Sequence, residues 1–337
     1  MLNTIKSLLR QLRSLFIEDG MDNMTLSKHL QAGRVISEEK AEELEEAIQK
    51  DPSNLIVRAR LVGYYTSNKY KDENCKNGLS KHILWIIENI PEHCLASTSE
   101  SHFYPTDRDY ETGKEAWRMQ VEAKRNNVEV LQNAATYMFM KDKELAESYL
   151  LAGKRIDPLS PKWPNRLSDL YCELASNSPE YWKKALEEKK EAFQKACFFG
   201  LKDGLDELLQ LPYLARNAGD NGQAANYAAM LLTHARSIKD DTKKAKCIHE
   251  AKNVLGLLAY DRGNYEAASD LLLESVSLDR ELLRDLHPRL KLAKLLLKQG
   301  LTSEVSTFAY KFTDRFGEKV LQRWQLDIRA GKIPSDW

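Results

Sequence analysis

Residues 252–279 read KNVLGLLAYDRGNYEAASDLLLESVSLD, and this stretch decides the fold. Leu255, Gly256 and Ala259 recur at helical spacing, as do Ala268, Leu272 and Ser275 beyond the break Arg262-Gly263-Asn264. Small and apolar residues at a period near 3.6 mark one face of each of two helices. A glycine between them takes a left-handed conformation at little cost, so it ends the first helix and lets the chain reverse. The pattern predicts two antiparallel helices joined by a short turn. A single hairpin of this kind cannot bury its apolar face alone, so neighbours must stack on it.

Working outward, residues 127–158 (NVEVLQNAATYMFMKDKELAESYLLAGKRIDP) repeat the plan. Ala134, Ala146 and Gly153 fall where paired helices must approach closely, and Asp157-Pro158 closes the unit as Asp51-Pro52 closes an earlier helix. Proline disfavours helix at the residue before it. The first small residue of each second helix gives a series, Ala146, Ala185, Ala224 and Ala268, with separations of 39, 39 and 44. Insertions at 160–164, 201–204 and 239–242 account for the long period. No alternating strand pattern competes with the helical one.

The spacing of Gly256, Gly263, Tyr265 and Ala268 is similar to that of the tetratricopeptide repeat. Residues 286–300 (LHPRLKLAKLLLKQG) and the ending DIRAGKIPSDW resemble the C-terminal part of a group of bacterial tetratricopeptide proteins. Residues 130–135 (VLQNAA), Asp142, Ala146-Glu147 and Asp157-Pro158 resemble the middle of that group. The resemblance runs from about Glu38 to the end. It implies an all-α, right-handed solenoid of αα-hairpins and carries no catalytic motif. Glu173, where a small residue is expected, and Val305, in place of alanine, depart from the pattern. The expected organisation is an N-terminal helix and linker over 1–37, degenerate repeats over 38–126, and regular repeats with a closing helix over 127–337.

Lys plus Arg and Asp plus Glu each total 50, so the formal net charge is zero. General nucleic-acid binding is therefore not expected, because it needs concentrated positive charge. No window approaches the roughly 18 apolar residues of a membrane span. Cys75, Cys94, Cys172, Cys197 and Cys247 are scattered and odd in number, which fits free thiols in a reducing compartment and a cytoplasmic protein. Leu2, Ile5, Leu9, Leu12 and Phe16 share one face of an N-terminal helix, with Leu8 and Leu15 beside it and Lys6, Arg10 and Arg13 flanking. That helix caps the first repeat, docks a partner or touches a membrane surface, with capping expected. Residues 94–112 (CLASTSESHFYPTDRDYET) lack helical periodicity and read as a long surface connector.

Catalytic signatures are missing: there is no Gly-x-Ser-x-Gly, no His-Glu-x-x-His and no glycine-rich phosphate loop. No enzyme activity, cofactor or metal is expected. His82, His93, Cys94, His102 and Cys75 cluster in sequence but lack the paired short spacing of a zinc site. The acidic run Glu38–Glu46 reads as a solvated helix face whose buried side is Leu44 and Ile48. Trp163 reads as a plug in a turn, Trp324 as the buried face of a last helix, and Trp337 as exposed. The positive expectation is a scaffold or adaptor that holds a protein or peptide in the groove lined by the first helix of each hairpin. Gln132, Ala135, Met138 and Phe139 in one unit, and Asn253, Leu257, Tyr260 and Asp261 in another, are its candidate residues. A mode that clamps a terminal carboxylate would need a basic series beside Asn253, and none is visible in the sequence. The alternatives are a small-molecule-sensing or enzyme-associated regulatory repeat protein and, less favoured, a nucleic-acid-associated one.

Overall fold

The computed structural model describes residues 23–199, 204–278, 280–284 and 286–337. The amphipathic N-terminal helix read from the sequence lies outside them. Among the described residues there are helices and no strands. They form two compact units, one ending at Trp163 and the other beginning at Pro164.

The first unit holds α1 (Asn23–Gly33), α2 (Glu38–Lys50), α3 (Leu55–Asn68), α4 (Glu73–Asn89), α5 (Tyr110–Ala123), α6 (Val128–Met138) and α7 (Lys143–Ile156). Helix starts follow the capping chemistry of the sequence. Asn54 accepts from the backbone N–H of Val57 at 3.1 Å, Asp72 from that of Cys75 at 2.8 Å, and Asn127 from those of Glu129 and Val130 at 3.0 Å. Each cap satisfies donors that the first turn leaves unpaired. Helices α1 and α3 touch backbone to backbone: a Cβ on Gly63 would collide with the Leu30 carbonyl, and one on Gly33 with that of Arg60. Leu26, Leu30, Val62, Ile83, Ile86 and Ile87 are buried in this unit, and Leu61 packs with Ala41, Leu44 and Ile48 of α2. Each contributes roughly 1.5–3 kcal/mol on full burial.

Residues 94–109 are not the loose surface connector that their sequence suggests. Two short 3-10 turns, Cys94–Ser97 and Ser99–Ser101, pack Leu95, Ala96, Ser101 and Phe103 into the unit against α3, α4 and α6. Asn133 on α6 ties the segment down, donating to the carbonyls of Pro91 at 2.8 Å and His93 at 3.3 Å. The two large apolar anchors, Leu95 and Phe103, are isolated among polar residues and set up no helical period.

The second unit begins within α8 (Lys162–Ala175) and continues through α9 (Tyr181–Phe199), α10 (Leu205–Leu208), α11 (Leu211–Asn217), α12 (Asn221–Ala235), α13 (Asp241–Asp261) and α14 (Tyr265–Glu274). It closes with α15 (Arg280–Arg284), α16 (Leu290–Lys298), α17 (Thr302–Tyr310), α18 (Thr313–Phe316) and α19 (Glu318–Arg329). Gly263 turns the chain between α13 and α14 with φ +77°, as the sequence requires. The marker alanines Ala146, Ala185, Ala224 and Ala268 are all fully buried. A finer regularity runs beneath them. Gly63 and Cys75, Ala134 and Ala146, Gly256 and Ala268, and Ala293 and Val305 are buried pairs, each twelve residues apart. In the third pair a Cβ on Gly256 would meet the Ala268 carbonyl at 3.3 Å, so a small residue there sets the hairpin spacing. Val305 substitutes for alanine without losing burial, whereas Glu173 is exposed and Ser168 takes the inward position on α8, donating to the Ala185 carbonyl at 2.8 Å.

Trp163 is buried with its ring against Gly153, and Trp324 is buried on α19. Trp337 is half-buried rather than exposed, because its ring packs edge-on against Trp324 at 5.6 Å. No helix among the described residues is long and apolar enough to cross a membrane.

Candidate functional site

Four of the eight groove residues read from the sequence have no surface to offer. Ala135, Met138, Asn253 and Leu257 are each at most 1% exposed. They carry the apolar period of α6 and α13, and a position on that period packs before it can bind. Gln132 on α6 and Phe139 just beyond its end are half-buried in the first unit. Tyr260 is half-buried and Asp261 exposed at the end of α13 in the second.

Tyr260 and Asp261 do belong to a polar strip, and its other members come from helices on which the sequence reading placed nothing. Arg216, near the end of α11, grips Asp261 with two bonds, Nε to Oδ2 at 2.9 Å and Nη2 to Oδ1 at 2.8 Å. Gln299, just beyond α16, donates to the Tyr260 hydroxyl at 2.9 Å. Further along α13, Arg289 at the N-cap position of α16 donates through Nε to Glu250 at 2.8 and 3.0 Å. Its guanidinium lies 4.9 Å from the Tyr213 ring of α11. Folding thus brings a basic residue of α11 and another at the start of α16 onto α13.

Buried chemistry fixes the strip from behind. His249 is fully buried on α13, where its Nδ1 lies 3.1 Å from the Ser275 carbonyl and its Nε2 accepts from the Arg289 backbone N–H at 3.2 Å. The carbonyl demands a donor and the N–H an acceptor, so the ring is neutral with its proton on Nδ1. Burial holds its pKa below the usual histidine value, which agrees. Asn253 donates to the His249 carbonyl at 2.9 Å, so its amide serves the helix interior.

The electrostatics leave a cationic excess. Arg216, Arg289 and Lys291 face two carboxylates, Glu250 and Asp261. Burial raises the Tyr213 hydroxyl well above its usual pKa, with Glu250 adding to it, so the phenol stays neutral. Burial lowers the Arg289 pKa, but the bond and charge of Glu250 outweigh it and raise it overall. Desolvation and then Arg216 pull the Lys291 ammonium below the usual lysine range. Among the described residues, Lys291 makes no ion pair, and no hydrogen bond engages the terminal nitrogens of Arg289, whose side chain is 49% exposed. The strip therefore keeps donors and one net positive charge in reach of solvent beside two tyrosine rings. Its chemistry suits recognition of an anionic group next to an apolar one.

The histidines and cysteines that cluster in sequence are taken up by partners within the fold, and Cys94 Sγ lies 3.9 Å from His93 Nδ1. His82 bonds Glu45 at 2.6 Å, His93 accepts from the Leu95 N–H at 3.1 Å, and His102 contacts the Ala96 carbonyl at 3.1 Å. No group of three or more metal-ligating side chains occurs among the described residues. Comparison with protein-family models and with curated proteins finds no match to this chain.

Proposed function

We propose that the chain is a non-catalytic scaffold of tetratricopeptide type, a right-handed array of helical hairpins, that holds a protein or peptide partner in the cytoplasm. The contact surface is the strip on α11, α13 and α16. One observation carries the reading: among the described residues, Lys291 and the terminal nitrogens of Arg289 present unengaged donors beside Asp261 and Glu250, whose charges are already taken by Arg216 and by Arg289 Nε. A partner segment that places a carboxylate on Lys291 and Arg289, with an apolar side chain against Tyr213 or Tyr260, fits that surface. Such a site supplies hydrogen bonds and charge from rigid helices, so little ordering entropy is lost on binding.

The test is capture from the native cell with the full chain and with Lys291→Glu in parallel. The recovered partner is then titrated back as purified protein against both. A partner bound by the parent and lost on Lys291→Glu, at unchanged melting temperature, supports the reading. Equal binding by both removes the strip from the interface, and absence of any specific partner removes the scaffold function.

A further inference from the structure

His249 holds the strip together through a bond that exists only while its ring is neutral. Its Nε2 accepts from the Arg289 backbone N–H at 3.2 Å, and its Nδ1 donates to the Ser275 carbonyl at 3.1 Å. The ring is fully buried, so those two groups, rather than solvent, are its partners. Arg289 stands at the N-cap position of α16, two residues before Lys291, and its side chain makes no cap bond to the helix. Its N–H on His249 and its Nε on Glu250 therefore pin the start of α16 to α13. Both cations that the strip offers a partner ride on that pin.

A second proton on the ring reverses the arrangement. Nε2 then carries a hydrogen aimed at the Arg289 N–H, and two donors face each other with no acceptor between them. The imidazolium also lies in electrostatic reach of the Arg289 guanidinium, in a buried site that disfavours charge. Glu250, one residue along α13, pulls the other way, but its carboxylate is already held by Arg289 Nε. On the other packed elements, Glu274 of α14 is taken by Lys252, and Lys311 beside Phe312 adds a further cation. The Phe312 ring itself meets His249 edge-on at 6.2 Å. We propose that His249 is a proton-operated release for the strip: in acid it rejects Arg289, the start of α16 leaves α13, and the partner is let go. This rests on the strip being the contact surface. A histidine freed by that movement takes up a proton near the usual value of 6.5, which burial opposes in the seated state. The seated state is therefore fully stabilised above that pH, and each unit below it shifts the balance towards release by up to about tenfold.

Two measurements on the full chain alone test the release. Nitrogen NMR of isotope-labelled histidine, assigned with His249→Gln, shows His249 as the neutral Nδ1–H tautomer at neutral pH. Hydrogen exchange, corrected for the intrinsic effect of pH, shows α16 losing protection between neutral pH and about pH 5, while α1–α7 keep theirs. His249→Gln can still donate to Ser275 and accept from Arg289 but takes no proton, so its α16 stays protected over the same range. The opposite tautomer, α16 protection that does not fall, or an equal fall in His249→Gln overturns the inference. Should His249→Gln not fold, the labelled parent, assigned then by its contacts to Phe312, decides: protonation of His249 in step with α16 exposure supports the release, and a ring neutral until the whole chain unfolds overturns it. Neither readout involves Lys291 or a partner, so the release and the strip, tested by Lys291→Glu capture, stand or fall separately. A partner recovered through the strip should leave the parent, and not His249→Gln, at about pH 5; its retention by the parent also overturns the release.

Discussion

In the first unit His82 lies between Glu45 and Arg58; in the second His249 lies beside Glu250 and Arg289. The first network is spent within the fold. Glu45 takes His82 at 2.6 Å, the Tyr65 hydroxyl at 3.0 Å and Lys81 at 2.9 Å. Arg58 reaches His82 Nδ1 at 3.1 Å and the Pro52 carbonyl at 2.6 Å, and its guanidinium lies 3.4 Å from the Trp85 ring centre. An arginine can only donate, so His82 accepts at Nδ1 and gives its Nε2 proton to Glu45. Arg58 is 3% exposed, and the result is a pin through α2, α3 and α4. In the second network the arginine is half in solvent and its terminal nitrogens are idle. The same three side-chain types therefore make a fastening in one place and a contact surface in the other, according to whether the guanidinium is enclosed.

Breaking the pin has the largest expected effect. Arg58→Ala leaves a histidine nitrogen, a carbonyl and an indole face without their partner, and costs about 3–5 kcal/mol. Denaturant unfolding gives the magnitude, and hydrogen exchange places the loss in α2–α4 rather than in the second unit. Arg58→Lys does not restore it, since an ammonium cannot span both acceptors and stack on the ring. A loss below about 1 kcal/mol would put the pin in the same class as a surface pair. Asn253→Asp comes next. The amide is fully buried beside His249, so a carboxylate there costs about 3 kcal/mol, with exchange rising in α13 and α14. An unchanged melting temperature would return Asn253 to the surface and erase the distinction between the strip and its backing.

That second variant also marks where the sequence stops being readable. Small residues are legible because backbone approach tolerates few alternatives: Ala146, Ala185, Ala224 and Ala268 all landed in the core, and Gly263 turned the chain. Polar residues on first helices are ambiguous, because hydrogen-bonding capacity serves a core carbonyl as well as a partner. Asn253 went inward and Asp261 outward. Arg216 and Arg289 carry no local signal. They sit at helix ends whose juxtaposition depends on how α11, α13 and α16 pack, which no spacing within one repeat records. Glu45 is a milder case. The acidic run of α2 is exposed as expected, apart from this one carboxylate, and its reason for turning inward lies 37 residues away at His82.

Glu45 sharpens the comparison through pH. Burial works to raise its pKa, but the bond of His82, its charge once acid protonates the ring, and then Lys81 outweigh burial and bring it to about 2. A carboxylate lowered on folding adds stability that is complete above its unfolded value of 4.5 and is lost as pH falls through about 2. Parent and Glu45→Gln should therefore differ by on the order of 2 kcal/mol at neutral pH, converging across that acid window. Urea melts of both chains at a series of pH values read this directly. A gap that persists unchanged at low pH would show that Glu45 contributes by packing rather than by charge.

The smallest stability effect falls on the strip. Lys291 is exposed and unpaired among the described residues, so Lys291→Glu should shift unfolding by less than about 0.5 kcal/mol. It nonetheless reverses a charge beside Arg216 and Arg289, replacing the net positive excess by a negative one. An anionic partner group then meets repulsion where it met a donor, and its affinity should fall roughly tenfold or more. Raising salt should weaken the parent complex and leave the variant little changed, because only the former depends on that attraction. The contrast with Arg58 becomes quantitative at this point. An enclosed cation controls folding and is invisible to partners, whereas an open one controls binding and barely registers in folding. A Lys291→Glu chain that unfolds like Arg58→Ala would mean that the strip, too, is a fastening.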